Sequence, residues 1–120
     1  MKISFVIPCY RSEKTIETVV NEICATVQNQ NAKSKDGRIF DYEIVLVNDC
    51  SPDGVWEKIK KLASADEKIK GICLAKNFGQ HNALMAGYAE SSGDYVISLD
   101  DDGQTPASES FKLVDKLEEG

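Results

Sequence analysis

Apolar positions along the chain alternate between two rhythms. Lys2 to Pro8 (KISFVIP) is a β-branched and aromatic run closed by proline, which reads as a strand. After the turn Cys9-Tyr10-Arg11-Ser12, apolar residues Ile16, Val19, Val20, Ile23 and Val27 recur at helical spacing. They predict an amphipathic helix over Glu13 to Gln28, capped by Ser12. Residues 29–41 are polar and aperiodic, an exposed loop with a short strand at Arg38 to Phe40. Tyr42 to Val47 is a second buried strand, stopped by the turn cluster Asn48-Asp49-Cys50-Ser51-Pro52-Asp53-Gly54. Val55, Ile59 and Leu62 mark a second helix ending near Ala65, and Ile69 to Leu74 a third strand. The turn Ala75 to Gln80 leads into a third helix whose small residues, Ala83, Ala86, Gly87 and Ala89, suit close packing on a sheet. Tyr95 to Leu99 is a fourth strand, and Phe111, Leu113, Val114 and Leu117 mark a last helix over Ala107 to Glu118.

The order βαβαβαβα predicts an α/β fold: a Rossmann-like, mostly parallel sheet with flanking helices and right-handed crossovers. Residues 1–120 read as a single domain. A four-stranded parallel half-sheet leaves an edge to cover, so the domain is expected to be truncated at its C-terminus.

Composition narrows the classes. At 42% hydrophobic and 28% charged residues the chain is an ordinary globular one. A formal net charge of −6 argues against a general nucleic-acid binder or an anionic-membrane binder, which needs a basic face. No signal peptide opens the chain, and no apolar run approaches the roughly 20 residues of a membrane span. A cytoplasmic location is therefore expected. Cys9, Cys24, Cys50 and Cys73 form no CxxC pair, and His81 is the sole histidine, which disfavours a zinc site. The cysteines are expected to be reduced and mostly buried.

Candidate chemistry gathers where the fourth strand ends, at Asp100-Asp101-Asp102-Gly103-Gln104. Aspartates at a strand end are often plain turn residues. Three in succession repel unless a cation or hydrogen-bond donors neutralise them, which points to a metal or phosphate site. Hard cations such as Mg²⁺ take oxygen ligands, often one or two carboxylates plus substrate phosphates.

In a parallel sheet the strand-end turns share one edge. Tyr10, Glu13, Asn48, Asp49, Ser51, Lys76, Asn77 and Asp100 to Asp102 fall in one neighbourhood. The set suits a nucleoside diphosphate compound: Asp49 accepting from a base N–H, Tyr10 against the base, Asp100 and Asp102 on a divalent ion that grips the diphosphate. GxGxxG and GxxxxGK[ST] loops are absent, so a dehydrogenase or a P-loop NTPase is disfavoured. Ser51 and Asp53 read more readily as cap and turn, Lys76 as solvated, and His81 as an exposed polar residue.

The segments SFVIPCYRSEKTI, YEIVLVNDCSPDG and KNFGQHNALMAGYAESSGDYVISLDDDGQTP resemble family 2 glycosyltransferases of the GT-A fold, in the family's order and over nearly the whole chain. They are most similar to the polyprenyl-phosphate branch that includes dolichyl-phosphate mannose synthase-like enzymes. The family's Pro-x-Tyr falls on Pro8 to Tyr10, its acidic residue after the second strand on Asp49, and its Asp-x-Asp on Asp100 to Asp102, with Gln104 two residues on. The chain departs from the family pattern where Arg11 replaces an asparagine and Asn48-Asp49-Cys50 replaces Asp-Asp-Gly. It departs again where Gly103 replaces an apolar residue.

The expected site follows from the neighbourhood and the resemblance together. Pro8, Tyr10, Glu13, Asp49, Asn77, Asp100 and Asp101 are expected to bind the nucleotide sugar. Asp100, Asp102 and Gln104 are expected to bind Mg²⁺ or Mn²⁺. The resemblance implies an inverting, metal-dependent transferase of cell-envelope glycan synthesis (cell wall or lipopolysaccharide). The donor is a UDP- or GDP-linked sugar, and the acceptor a polyprenyl phosphate, with a saccharide hydroxyl as the alternative. Family members are longer, and the catalytic base is expected beyond the C-terminus of this chain. The alternative reading is that the 120 residues alone bind nucleotide without turnover. The intact protein is expected at the inner face of the cytoplasmic membrane, and a homo-oligomer is compatible with the sequence. A receiver-like phosphoacceptor domain is a rival α/β reading, but it needs a fifth strand that the pattern lacks.

Overall fold

The computed structural model describes residues 2–33, 41–76 and 79–99. Among the described residues four strands and three helices alternate: β1 (Lys2–Cys9), α1 (Ile16–Lys33), β2 (Asp41–Asn48), α2 (Val55–Ala65), β3 (Ile69–Cys73), α3 (Gln80–Glu90) and β4 (Tyr95–Ser98). The expected short strand at Arg38 to Phe40 and the last helix at Ala107 to Glu118 lie outside the described residues.

All strand pairs are parallel, in the order β3-β2-β1-β4. The fold is the α/β one the alternation predicts. β1 and β2, the central pair, are almost wholly buried because helices cover both faces. This is why they read as continuous apolar runs rather than alternating ones. On one face Ile3, Phe5, Ile7, Ile44, Leu46 and Ile69 pack with Ile16, Val20 and Ile23 of α1 and Val55 and Ile59 of α2. On the other, Val6, Val45 and Val47 meet Ala83 of α3, with Ala86 and Leu84 beside them. Gly87 brings α3 close: a Cβ there would collide with the side chain of Val6 and come within 3.2 Å of Val47 Cγ2.

Pro8 ends the β1–β4 ladder. The Val6 carbonyl accepts the Leu99 N–H (3.1 Å), whereas the Cys9 carbonyl accepts from Asp49 on the other side (3.0 Å). Even-numbered residues of β1 therefore face β4, and the next of them, Pro8, has no N–H to offer. Pairing stops at Val6↔Ser98.

Three expectations change. α1 runs on to Lys33, so residues 29–33, read as loop from their polarity, are helix. The Ser12 hydroxyl does not cap α1; it is buried with no partner among the described residues, and the Ser12 carbonyl instead accepts the N–H groups of Thr15 and Ile16. The cysteines are all free, as expected, but only Cys9 is buried; Cys24 is half-buried, and Cys50 and Cys73 are exposed because they lie at or just beyond strand ends.

The opposite edge of the sheet carries a buried carboxylate that the sequence reading did not single out. Glu43, whose side chain is 2% exposed, accepts from Ser92 N–H (2.8 Å), the Ser92 hydroxyl and the Ser4 hydroxyl (3.1 Å), and pairs with Lys70 (3.2 Å) and Lys2 (3.6 Å). Ser4 in turn accepts the Gly93 N–H (2.8 Å). Gly93 lies so close to β1 that a Cβ would come within 2.7 Å of the Ser4 nitrogen. The segment entering β4 is thus pinned to β1 and β2.

Candidate active site

The carboxyl ends of β1 and β2 turn into α1 and α2 side by side. Asp49 donates its N–H to the Cys9 carbonyl (3.0 Å), which sets Tyr10 and Asp49 in adjacent turns. The two differ in exposure: Tyr10 is 41% exposed and Asp49 4%. The guanidinium of Arg11 lies 5.4 Å from the centroid of the Tyr10 ring, a cation–π contact. A ring open to solvent in the turn next to that of a nearly buried carboxylate can take a flat heterocycle with an N–H edge: the ring supplies contact area and the carboxylate a hydrogen-bond acceptor.

Each of these residues precedes a corner in the left-handed region. Arg11 has φ +56° and Cys50 φ +53°. Neither is a residue that adopts this conformation readily, and each pays roughly 1–2 kcal/mol for it. These are two of the positions where the chain departs from the family pattern, which has asparagine and glycine there, the residues that tolerate positive φ best. Cys50→Gly is therefore expected to stabilise the fold by about 1 kcal/mol, net of the entropy glycine adds to the unfolded chain. Cys50→Ala keeps the strain and should give no such gain; urea midpoints of the two variants check this.

Hydrogen bonds lace the turns together. Asn48 Oδ1 accepts the Ser51 N–H (3.0 Å), and the Asn48 carbonyl accepts Leu74 N–H (2.9 Å), tying in the end of β3. Asp53 Oδ1 accepts the Ser51 hydroxyl (2.6 Å) and the Val55 N–H (3.2 Å) at the start of α2. Burial raises the Asp53 pKa, but the Ser51 hydroxyl and the Glu13 and Val55 N–H groups outweigh it and hold the carboxyl below its ordinary value. Ser51 and Asp53 are turn residues, as read, but neither is the cap of α2: its N-cap is Gly54, which makes no side-chain cap bond. Pro8 is buried in β1, Glu13 half-buried with its carboxylate on Gly54 N–H (3.2 Å), and Lys76 and His81 are exposed. Asn77, Asp100, Asp101, Asp102 and Gln104 lie outside the described residues.

Residues 4–120 match the family described as Glycosyl transferase family 2. The chain belongs to that family. Among its relatives is an undecaprenyl-phosphate 4-deoxy-4-formamido-L-arabinose transferase of Aeromonas hydrophila subsp. hydrophila, 34% identical over 119 residues. That match takes in 98% of this chain and 34% of the relative, so the chain spans about a third of the length of the curated relatives it matches. Of solved structures, S. aureus TarS 1-349 in complex with UDP-GlcNAc superposes with a TM-score of 0.70 at 25% identity, covering 97% of this chain and 30% of that one. The mannosyltransferase PcManGT from Pyrobaculum calidifontis, in complex with GDP-Man and Mn²⁺, superposes with a TM-score of 0.69 at 20% identity, covering 91% and 30%. The parallel sheet and flanking helices of this family 2 chain match the GT-A arrangement of these neighbours. Among its described residues no group of three His, Cys, Asp or Glu side chains is placed to hold a metal ion, and no helix is long and apolar enough to cross a membrane.

Proposed function

We propose that this chain supplies the nucleotide-sugar half of an inverting glycosyltransferase that moves a sugar from a UDP- or GDP-linked donor to a polyprenyl phosphate. The observation that carries the reading is the pairing of open Tyr10 with nearly buried Asp49 at adjacent strand ends, in a family 2 chain. Tyr10 lies against the base, and Asp49 accepts from its N–H edge. Relatives named as undecaprenyl-phosphate transferases support the acceptor class, and solved neighbours carrying UDP-GlcNAc and GDP-Man support the donor class. A polyprenyl phosphate acceptor places the intact protein at a membrane face.

A divalent ion fits the oxygen donors that follow β4. Asp100 and Asp102 with Gln104 would hold it, and no described cluster competes with them. When bound, the ion neutralises charge that grows on the leaving diphosphate. The protein's own residues hold and orient the nucleoside. A phosphate monoester acceptor has a second pKa of about 6 and is largely ionised at neutral pH, so it demands little from a general base.

Calorimetric titration with UDP and GDP, with and without Mn²⁺, tests the reading. Binding of one nucleotide, strengthened by the metal and weakened about tenfold or more by Asp49→Ala, is expected for loss of a charged hydrogen-bond acceptor. No binding of either nucleotide under any metal condition refutes it.

A further inference from the structure

The turns bearing Tyr10 and Asp49 are joined by more than their strands. Arg11 donates its backbone N–H to Ser51 Oγ (2.7 Å), and the Ser51 hydroxyl donates to Asp53 Oδ1 (2.6 Å). Asp53 Oδ2 accepts the Glu13 N–H (3.1 Å), and Glu13 Oε2 accepts the Gly54 N–H (3.2 Å). The first turn thus gives two N–H donors to side chains of the second, and the second returns one to a side chain of the first. Residue 54 leaves room for this exchange: a Cβ there would come within 2.5 Å of Glu13 Oε1.

We infer that Glu13, Ser51 and Asp53 are positioning residues, a latch between the β1–α1 and β2–α2 turns that fixes Tyr10 against Asp49 for a nucleoside diphosphate. The inference rests on the reading of the site proposed above and adds to it a division of labour. Tyr10 and Asp49 touch the ligand, whereas Glu13, expected from the sequence to bind it, spends its carboxylate on Gly54. The left-handed corners explain why a latch is needed. Arg11 at φ +56° and Cys50 at φ +53° directly follow Tyr10 and Asp49, and each would relax toward negative φ if unrestrained. The Ser51 hydroxyl stands between them: it takes the N–H of one corner, and its own backbone follows the other. Losing it frees Arg11 to turn, and Tyr10 with it.

The test is UDP and GDP affinity by calorimetry in the presence of Mn²⁺, beside thermal melts of each variant. Ser51→Ala and Glu13→Ala are each expected to weaken binding about tenfold, the scale of one or two lost hydrogen bonds. Ser51→Thr and Glu13→Gln keep an oxygen in place and are expected to stay within about twofold of the natural protein. In a Tyr10→Ala background the Ser51→Ala effect should shrink below about twofold, because the residue being positioned is gone. A merely structural role would leave that effect undiminished. Natural-protein affinity in both alanine variants, or full additivity with Tyr10→Ala, overturns the latch while leaving the site reading standing. If the natural protein binds neither nucleotide, the site reading falls and the latch falls with it. Glu13 is half-buried and its replacement spares the core, so it carries the test should Ser51→Ala fail to fold.

Discussion

Replacing Glu43 with alanine is expected to cost the fold about 3 kcal/mol, the scale for removing one member of a buried, hydrogen-bonded charge cluster. The loss strands the Ser92 N–H and two hydroxyls that now converge on the carboxylate. Lys2 and Lys70 are partly exposed and can turn back to water, which keeps the figure toward the lower end of the buried-pair range. The effect should depend on pH. Burial raises the Glu43 pKa, but Ser92, Lys70 and Ser4 outweigh it, so the folded carboxyl sits below its ordinary value of 4.5. A group depressed on folding stabilises fully above its unfolded pKa and loses that contribution as pH falls through the folded one. Urea titrations of the natural protein and Glu43→Ala should therefore show a wide gap at neutral pH that narrows below about pH 4.5. A gap unchanged down to strong acid would mean that the charge plays no part. The consequence for the site is indirect. The cluster holds the entry to β4, and β4 leads to the acidic triplet.

Much of the molecule was legible because local pattern and tertiary role agree. The runs KISFVIP, YEIVLV and IKGIC announced strands, and the turn clusters after the first two announced the site edge. Where the reading failed, information was missing locally. Asn29 to Lys33 offer no apolar stripe, because the last turns of α1 carry none, so helix and loop look alike there. Ser12 has the residue type of a cap, yet backbone carbonyl bonding starts the helix, and its hydroxyl has no partner among the described residues. Glu43 was visible only as a charge within an apolar strand. Its partners Ser4 and Ser92 lie 39 and 49 residues away, which no local window shows. The bonds between Glu13, Ser51 and Asp53 have the same character: Ser51 and Asp53 read as cap and turn and Glu13 as a ligand of the nucleotide sugar, and only the parallel pairing of β1 with β2 brings them into one circuit. The strained corners were half legible. Arg11 and Cys50 stood out as departures from the family pattern, but their cost was plain only once the backbone angles were known.

Neutralising the acidic triplet separates the two halves of the proposed site. Asp100→Asn combined with Asp102→Asn is expected to abolish the contribution of Mn²⁺ to nucleotide binding, a loss of about a hundredfold or more in metal affinity. Altering outer partners of a metal already costs 10–100-fold, and these two carboxylates are its proposed direct ligands. Fold stability should change little, because asparagine nearly matches aspartate in size and shape and the exchange removes like charges rather than adding them. The metal-free affinity for UDP or GDP should also persist, since it rests on Tyr10 and Asp49. Relief of like-charge crowding gives the double variant a second signature: removing two of three adjacent carboxylates should leave the metal-free protein as stable as before or slightly more so. Calorimetry with and without Mn²⁺, run beside thermal melts, distinguishes the outcomes. Metal-strengthened binding that survives in the double variant would place the cation elsewhere. Loss of metal-free binding as well would mean that the carboxylates touch the nucleotide directly rather than through an ion.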